Sequence, residues 1–193
     1  MSAKLIFGFL LLPCIPAAGQ MKVLSNPKAS SDIQLIKDAD TFFGTAQTVL
    51  NFDELKPNTI VNSVYKKNGV IFESTNKDKS VIIREYQFSG GMGKKNSIGN
   101  AKPGYEGKLN ISFPENNVSS VGFLLCHAIP NGTIVEVYGK DEKLLAHLVT
   151  TATGAVFCGV KSKAPISKLI ISPVKKIDKD IAVDNFAFSV LTR

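Results

Sequence analysis

Tryptophan is absent from the 193 residues, histidine occurs only at positions 127 and 147, and cysteine only at 14, 126 and 158. Without Trp the chain lacks the strongest platform on which a sugar ring stacks. Two histidines leave little material for a histidine-based catalytic or metal constellation. No G-x-S-x-G and no H-E-x-x-H occurs. His127 directly follows Cys126, so on a strand the two point to opposite faces and cannot form a nucleophile–base couple. His147 sits in the apolar run LLAHLVT with no acid close by in sequence. Gly90-Gly91-Met92-Gly93-Lys94-Lys95 lacks the spacing of a phosphate loop and no helix pattern follows it. Nowhere is there a sustained 3.6-residue period with capping residues, so a helical fold is excluded. Composition near the globular average, with 44% hydrophobic and 20% charged residues, excludes a collagen, a coiled coil and a disordered chain.

What is present begins with a leader. Residues 1–19 carry Lys4, the apolar run LIFGFLLL, helix-breaking Pro13 and Pro16, and the small residues Ala17-Ala18-Gly19. That is the build of a secretory signal peptide, and the apolar run is far shorter than the ~20 residues that span a bilayer. Pro13 before Cys14 is the wrong residue for lipid attachment. Cleavage after Gly19 removes Cys14 and one lysine, so 22 basic against 16 acidic residues leave the mature chain at +6. No transmembrane span is expected in it, and export argues against nucleic-acid binding. Cys126 and Cys158 remain, an even pair that in a secreted chain predicts a disulfide. Asn110, Asn117 and Asn131 head Asn-x-Ser/Thr triplets, which are glycan acceptors in a eukaryotic secretory pathway.

Residues 20–45 read as a linker or loosely ordered segment, with one short helix or strand around 33–36. From Thr48 onward short apolar or alternating runs recur, each closed by Gly, Pro, Asn or Asp. Strands are predicted near 48–53, 60–65, 69–74, 80–88, 107–113, 118–129, 133–138, 143–150, 154–160, 167–172 and 181–190. Pro130-Asn131-Gly132 and Gly139–Glu142 are good hairpin chemistry. The expected fold is all-β, a two-sheet antiparallel β-sandwich or jelly roll over 46–193. Residues 89–106, rich in glycine and carrying Lys94, Lys95 and Lys102, read as one long irregular loop, and Tyr105 abuts it.

Asn51-Phe52-Asp53-Glu54-Leu55 with Asn58-Thr59, Gly69-Val70-Ile71-Phe72, Val121-Gly122-Phe123, and the closing Asp184-Asn185-Phe186-Ala187-Phe188 form a set of recurring phrases. Together they resemble a family of secreted β-sandwich domains common in bacterial surface and sorting-signal proteins. The resemblance covers roughly 48–190 and extends to jelly-roll modules related to carbohydrate-binding and galactose-binding-like folds. Asn58 departs from the family's usual Gly, and no hydrophobic sorting segment follows Arg193. The resemblance implies that the first and last strands lie side by side. Asp53, Glu54, Asp184 and Asn185 are then candidate ligands of a structural Ca²⁺, which favours six to eight oxygens.

The expected function is a secreted, non-enzymatic module that binds an extracellular glycan or acidic surface. Its candidate contacts are Tyr105, Lys94, Lys95 and Lys102, with Lys66 and Lys67 as further cations and Tyr65, Tyr86 and Tyr138 as further platforms. The alternatives are a secreted hydrolase using paired carboxylates among Glu73, Glu85, Glu106, Glu136 and Asp184, and a purely structural extracellular protein.

Overall fold

A computed structural model describes residues 21–24, 33–75, 79–87, 94–100, 107–115, 117–174 and 181–191, with the side chains of 86, 87, 94, 95 and 100 left aside. The leader at 1–19 lies outside these residues. No described helix is long and apolar enough to cross a membrane.

The chain is all-β and antiparallel, and its two layers share one strand. The elements are β1 (Met21–Val23), β2 (Ile33–Leu35), α1 (Ala39–Thr45), β3 (Thr48–Leu50), β4 (Ile71–Ser74), β5 (Val81–Gln87) and β6 (Lys94–Asn100). There follow β7 (Leu109–Ser112), β8 (Val118–Ala128), β9 (Thr133–Gly139), β10 (Leu144–Thr150), β11 (Gly154–Pro173) and β12 (Ala182–Val190). The first half of β11 pairs with β8 and β2, and its second half with β9 and β7. Sheet I therefore runs β2–β11–β8–β12, with the far edge of β12 shared between β3 and the β6–β5 hairpin. Sheet II runs β1–β10–β9–β11–β7–β4.

Inward positions follow the two-residue period of a strand. Val121, Phe123 and Leu125 on β8, and Val156, Cys158 and Val160 on β11, all enter one core cluster with Val135 and Val137 of β9 and Leu169 and Ile171 of β11. Aromatic rings join the layers: Phe72 of β4 meets Phe186 of β12 edge-on at 5.4 Å, and Phe113 stacks on Phe186 at 6.3 Å. Each such pair adds about 0.5–1.5 kcal/mol beyond its burial.

Four sequence expectations are corrected. Residues 60–65 are not a strand. Ile60 makes one isolated bridge to Ile82, after which backbone bonds from Val64 to Val61 and from Lys66 to Ser63 close tight turns. Val61 and Tyr65 are the buried pair there, a one-turn spacing that resembles alternation over so short a window. The segment 89–106 is not wholly irregular, because β6 pairs with β5 from Lys94↔Gln87 to Asn100↔Val81. The two strands expected at 154–160 and 167–172 are one, continuing through Ala164-Pro165.

The disulfide is the fourth correction, since both Cys126 and Cys158 are free. Cys158 sits opposite Phe123 and points into the core. Cys126 lies three residues further along β8 and so points from the other face. That is about 10 Å of strand, beyond the ~7 Å between Cα atoms that a disulfide tolerates.

The linker region also holds more order than its composition suggests. Asp38 caps α1, its carboxylate accepting from the backbone N–H of Thr41 at 3.0 Å. From β2 at one edge of sheet I the segment passes over the outer face as α1 and rejoins the sheet as β3 at the opposite edge. Gly122 and Gly159 face each other across β8 and β11 beneath this crossing. A Cβ on Gly122 would stand 2.5 Å from the ring of Phe42, and one on Gly159 would stand 2.6 Å from the ring of Phe157. The bare backbone is what lets Phe42, Phe43 and Phe157 cluster there.

Candidate functional site

The expected ligand contacts fall largely beyond view. Tyr105 and Lys102 lie outside the described residues, and Lys94 and Lys95 are placed only as backbone in β6. Among the other tyrosines, Tyr65 is spent inside: it is 5% exposed and its hydroxyl donates to Glu54 Oε1 at 2.7 Å. Burial, then Glu54, pushes that hydroxyl well above its ordinary value of 10.0.

The expected cation ligands are neighbours in topology, with separate partners. β3 does lie beside β12, with Leu50 opposite Phe186. β12 changes partner from β6 to β3 just at Asp184-Asn185, where it takes three steps (Asp184 to Ala187) against two on β8 (Leu124 to Gly122). Asn185 is the extra residue of this bulge and adopts a left-handed φ of 46°. Asp184 is 3% exposed and accepts from the Asn185 N–H at 2.7 Å. Asp53 Oδ1 accepts from the Asn96 N–H at 3.2 Å, and Glu54 holds Tyr65. Among the described residues no group of three or more His, Cys, Asp or Glu comes together.

The asparagines of the three triplets differ in setting. Asn110 is in the middle of β7. Asn117 precedes β8 and donates to Glu115 at 3.3 Å. Asn131 is exposed in the β8–β9 turn with a φ of 57°.

The face that gathers chemistry is the outer face of sheet II, which sequence reasoning missed. Its middle row crosses five strands: Glu73 opposite Asn110, Asn110 opposite Ile170, Ile170 opposite Glu136, and Glu136 opposite His147. A second row sets Ser112 opposite Lys168 and Lys168 opposite Tyr138. Lys168 lies over the Tyr138 ring, 5.0 Å from its centroid, and its ammonium pairs with Glu142. The Tyr138 hydroxyl bonds Glu136, and burial first, then Glu136, raises it above its ordinary value. Ser172 lies two residues beyond Ile170 on the same face and is 8% exposed.

Four buried polar atoms among the described residues have no hydrogen-bond partner: Asn110 Oδ1, His147 Nε2, Ser162 Oγ and Ser172 Oγ. Three of the four belong to this one face. The signal was present as alternation in LNIS, IVEVY and KLIIS, where the polar positions fall on one side. What the sequence does not contain is which strands lie beside which, and that alone lines these positions up.

The same face rules out one carboxylate pair, Glu73 with Glu136. Glu73 and Glu136 stand three strand intervals apart, about 14 Å at the usual inter-strand spacing. Glycoside hydrolysis needs its two carboxyl groups about 5–10 Å apart.

Comparison with protein-family models finds no match, and no curated protein sequence matches. One solved structure, described as a family 6 carbohydrate-binding module whose binding sub-sites were dissected by crystallography and calorimetry, aligns with a TM-score of 0.37 and 10% identity. The alignment covers 76% of this chain and 95% of that one. A likeness at that level carries no argument about this chain.

Proposed function

We propose that the protein is an exported, non-enzymatic β-sandwich module that binds an extracellular glycan or glycan-covered surface. The observation that carries this reading is the outer face of sheet II. A row of exposed and half-buried polar and apolar side chains, from Glu73 to His147, spans five strands there. Such a face can lie along a carbohydrate chain, offering aliphatic surface to C–H groups and polar atoms to hydroxyls. Export rests on the leader at 1–19, whose short apolar run and small-residue end fit a cleaved signal. Glu73 and Glu136 are too far apart to act together on one glycosidic bond, so binding without turnover is the favoured chemistry.

A glycan array probed with the chain from Gln20 to Arg193 tests the proposal. Binding to a subset of glycans at micromolar protein is expected, with no new reducing ends released from the glycans bound. A blank array removes the glycan reading and leaves a purely structural role; released reducing ends restore the hydrolase.

A further inference from the structure

We infer that Asn68 is a site of spontaneous deamidation in the folded chain, while the identical step at Asn131 is protected by the fold. This inference is independent of the glycan-binding reading.

Asparagine followed by glycine occurs at 68–69 and at 131–132. The reaction needs only water. The glycine backbone nitrogen, having lost its proton to solvent base, attacks Cγ of the preceding asparagine. A C–N bond forms, the Cγ–Nδ2 bond breaks, and ammonia leaves. Water then opens the resulting succinimide at either carbonyl, giving aspartate or isoaspartate. Glycine is the following residue that permits this best, because no Cβ crowds its nitrogen. Gly69 is required where it stands. It ends the single 3₁₀ turn Lys66–Asn68 with a left-handed φ of 87°, which favours glycine.

Both asparagines are exposed, so access to water does not separate them. The difference lies in how the following amide is tied. Ring closure requires the glycine N–H to leave its acceptor and the asparagine to leave its backbone conformation. At Asn68 the ties are local: Gly69 N–H donates to Lys66 O at 3.0 Å and Asn68 N–H to Tyr65 O at 2.9 Å. Short 3₁₀ turns have poor hydrogen-bond geometry, and local opening of such segments costs little. Opening this one breaks no strand pair. Val70 N–H, on Tyr65 O at 3.3 Å, still joins the buried residues on either side.

At Asn131 the ties reach other strands. Asn131 N–H donates to Thr150 O at 2.8 Å, at the end of β10. Gly132 is buried; its N–H donates to Ile129 O at 3.0 Å, and its C=O accepts from Val174 N–H at 2.8 Å, just past β11. Thr133 N–H donates to Thr150 Oγ1 at 3.2 Å. Freeing the Gly132 nitrogen therefore loosens the ends of β8, β9, β10 and β11 together. Charge works in the same direction. Lys66 and Lys67 are exposed beside Asn68, and positive charge favours the deprotonated nitrogen that attacks. The carboxylate formed there lowers the charge of this turn by one.

The chain from Gln20 to Arg193 is incubated at mildly alkaline pH, once folded and once in urea. Aspartate and isoaspartate at each position are followed by tandem mass spectrometry. In urea, with the fold removed, the two positions should react within about threefold of each other. In the folded chain Asn68 should react about tenfold faster than Asn131 or more, the result of a local opening that Asn131 lacks. Asn68→Gln should remove the leading acidic species seen on ion exchange, because the longer side chain closes its ring far more slowly. Its melting midpoint should match wild type. A folded-chain ratio no greater than the ratio in urea would overturn the inference. So would a folded chain that stays intact at Asn68 while the chain in urea converts, or a leading acidic species that persists in Asn68→Gln.

Discussion

At the residue scale the two cysteines show how strand parity overrides an even cysteine count. Cys126 is buried beside Asp184, and burial, then that carboxylate, pushes its thiol up to about 12 from an ordinary 9.0. Cys158 is shifted upward by burial alone. Both thiols therefore stay protonated and shielded at neutral pH. Ellman's reagent at pH 8 should detect no thiol in the folded chain from Gln20 to Arg193 and two after denaturation. Two reactive groups in the native protein would contradict their burial. The linkage has a definite sign. A thiol whose folded value is raised adds stability that is fully present below the unfolded value near 9 and fades as pH climbs towards about 12. Urea midpoints should accordingly decline between pH 9 and 12, and Cys126→Ala should flatten that decline. None of this was legible from the residue count, because an even pair of cysteines says nothing about which face each one takes.

At the element scale, α1 depends on two missing side chains. Gly122→Ala would push a methyl against the Phe42 ring and should cost about 1–3 kcal/mol, read as a lowered urea midpoint. Adding Phe42→Ala should recover much of that loss in a double-mutant cycle, since the clash partner is gone. Strict additivity would mean that α1 does not rest on β8. The bulge at Asn185 offers a second measurement. Its left-handed φ of 46° suits Asn or Gly. Asn185→Gly should be nearly neutral, and Asn185→Val should lower stability by about 1–2 kcal/mol. Most strands were legible as short alternating runs from 69 onward, because half-buried sheets write a two-residue period into the chain. The failures share one cause. The turns at 60–65 and the helix at 39–45 are too short for a period to emerge, and tertiary contacts decide them: Tyr65 on Glu54, and Phe42 on Gly122. The polar outer row was unreadable for a different reason, since its members come from five strands spread between Glu73 and Ile170.

At the scale of the whole molecule, the arrangement of acids makes a prediction about calcium. Asp53, Glu54 and Asp184 each already accept a proton donor from the chain. The melting midpoint of the chain from Gln20 to Arg193 should therefore be the same with millimolar calcium and with a chelator. A rise of several degrees with calcium would show that these carboxylates reorganise around a shared cation.

The 20-residue span of β11 has a mechanical meaning. Because one unbroken strand is hydrogen-bonded into both sheets, it acts as a hinge pin on which the two layers are threaded. Neither layer can slide along the other or peel away without rupturing pairs in its own ladder. Unfolding must then proceed as one event, and amide hydrogens in β8 and β9 should exchange at a common slow rate. A chain pulled from its ends should resist as one unit and give way in a single step.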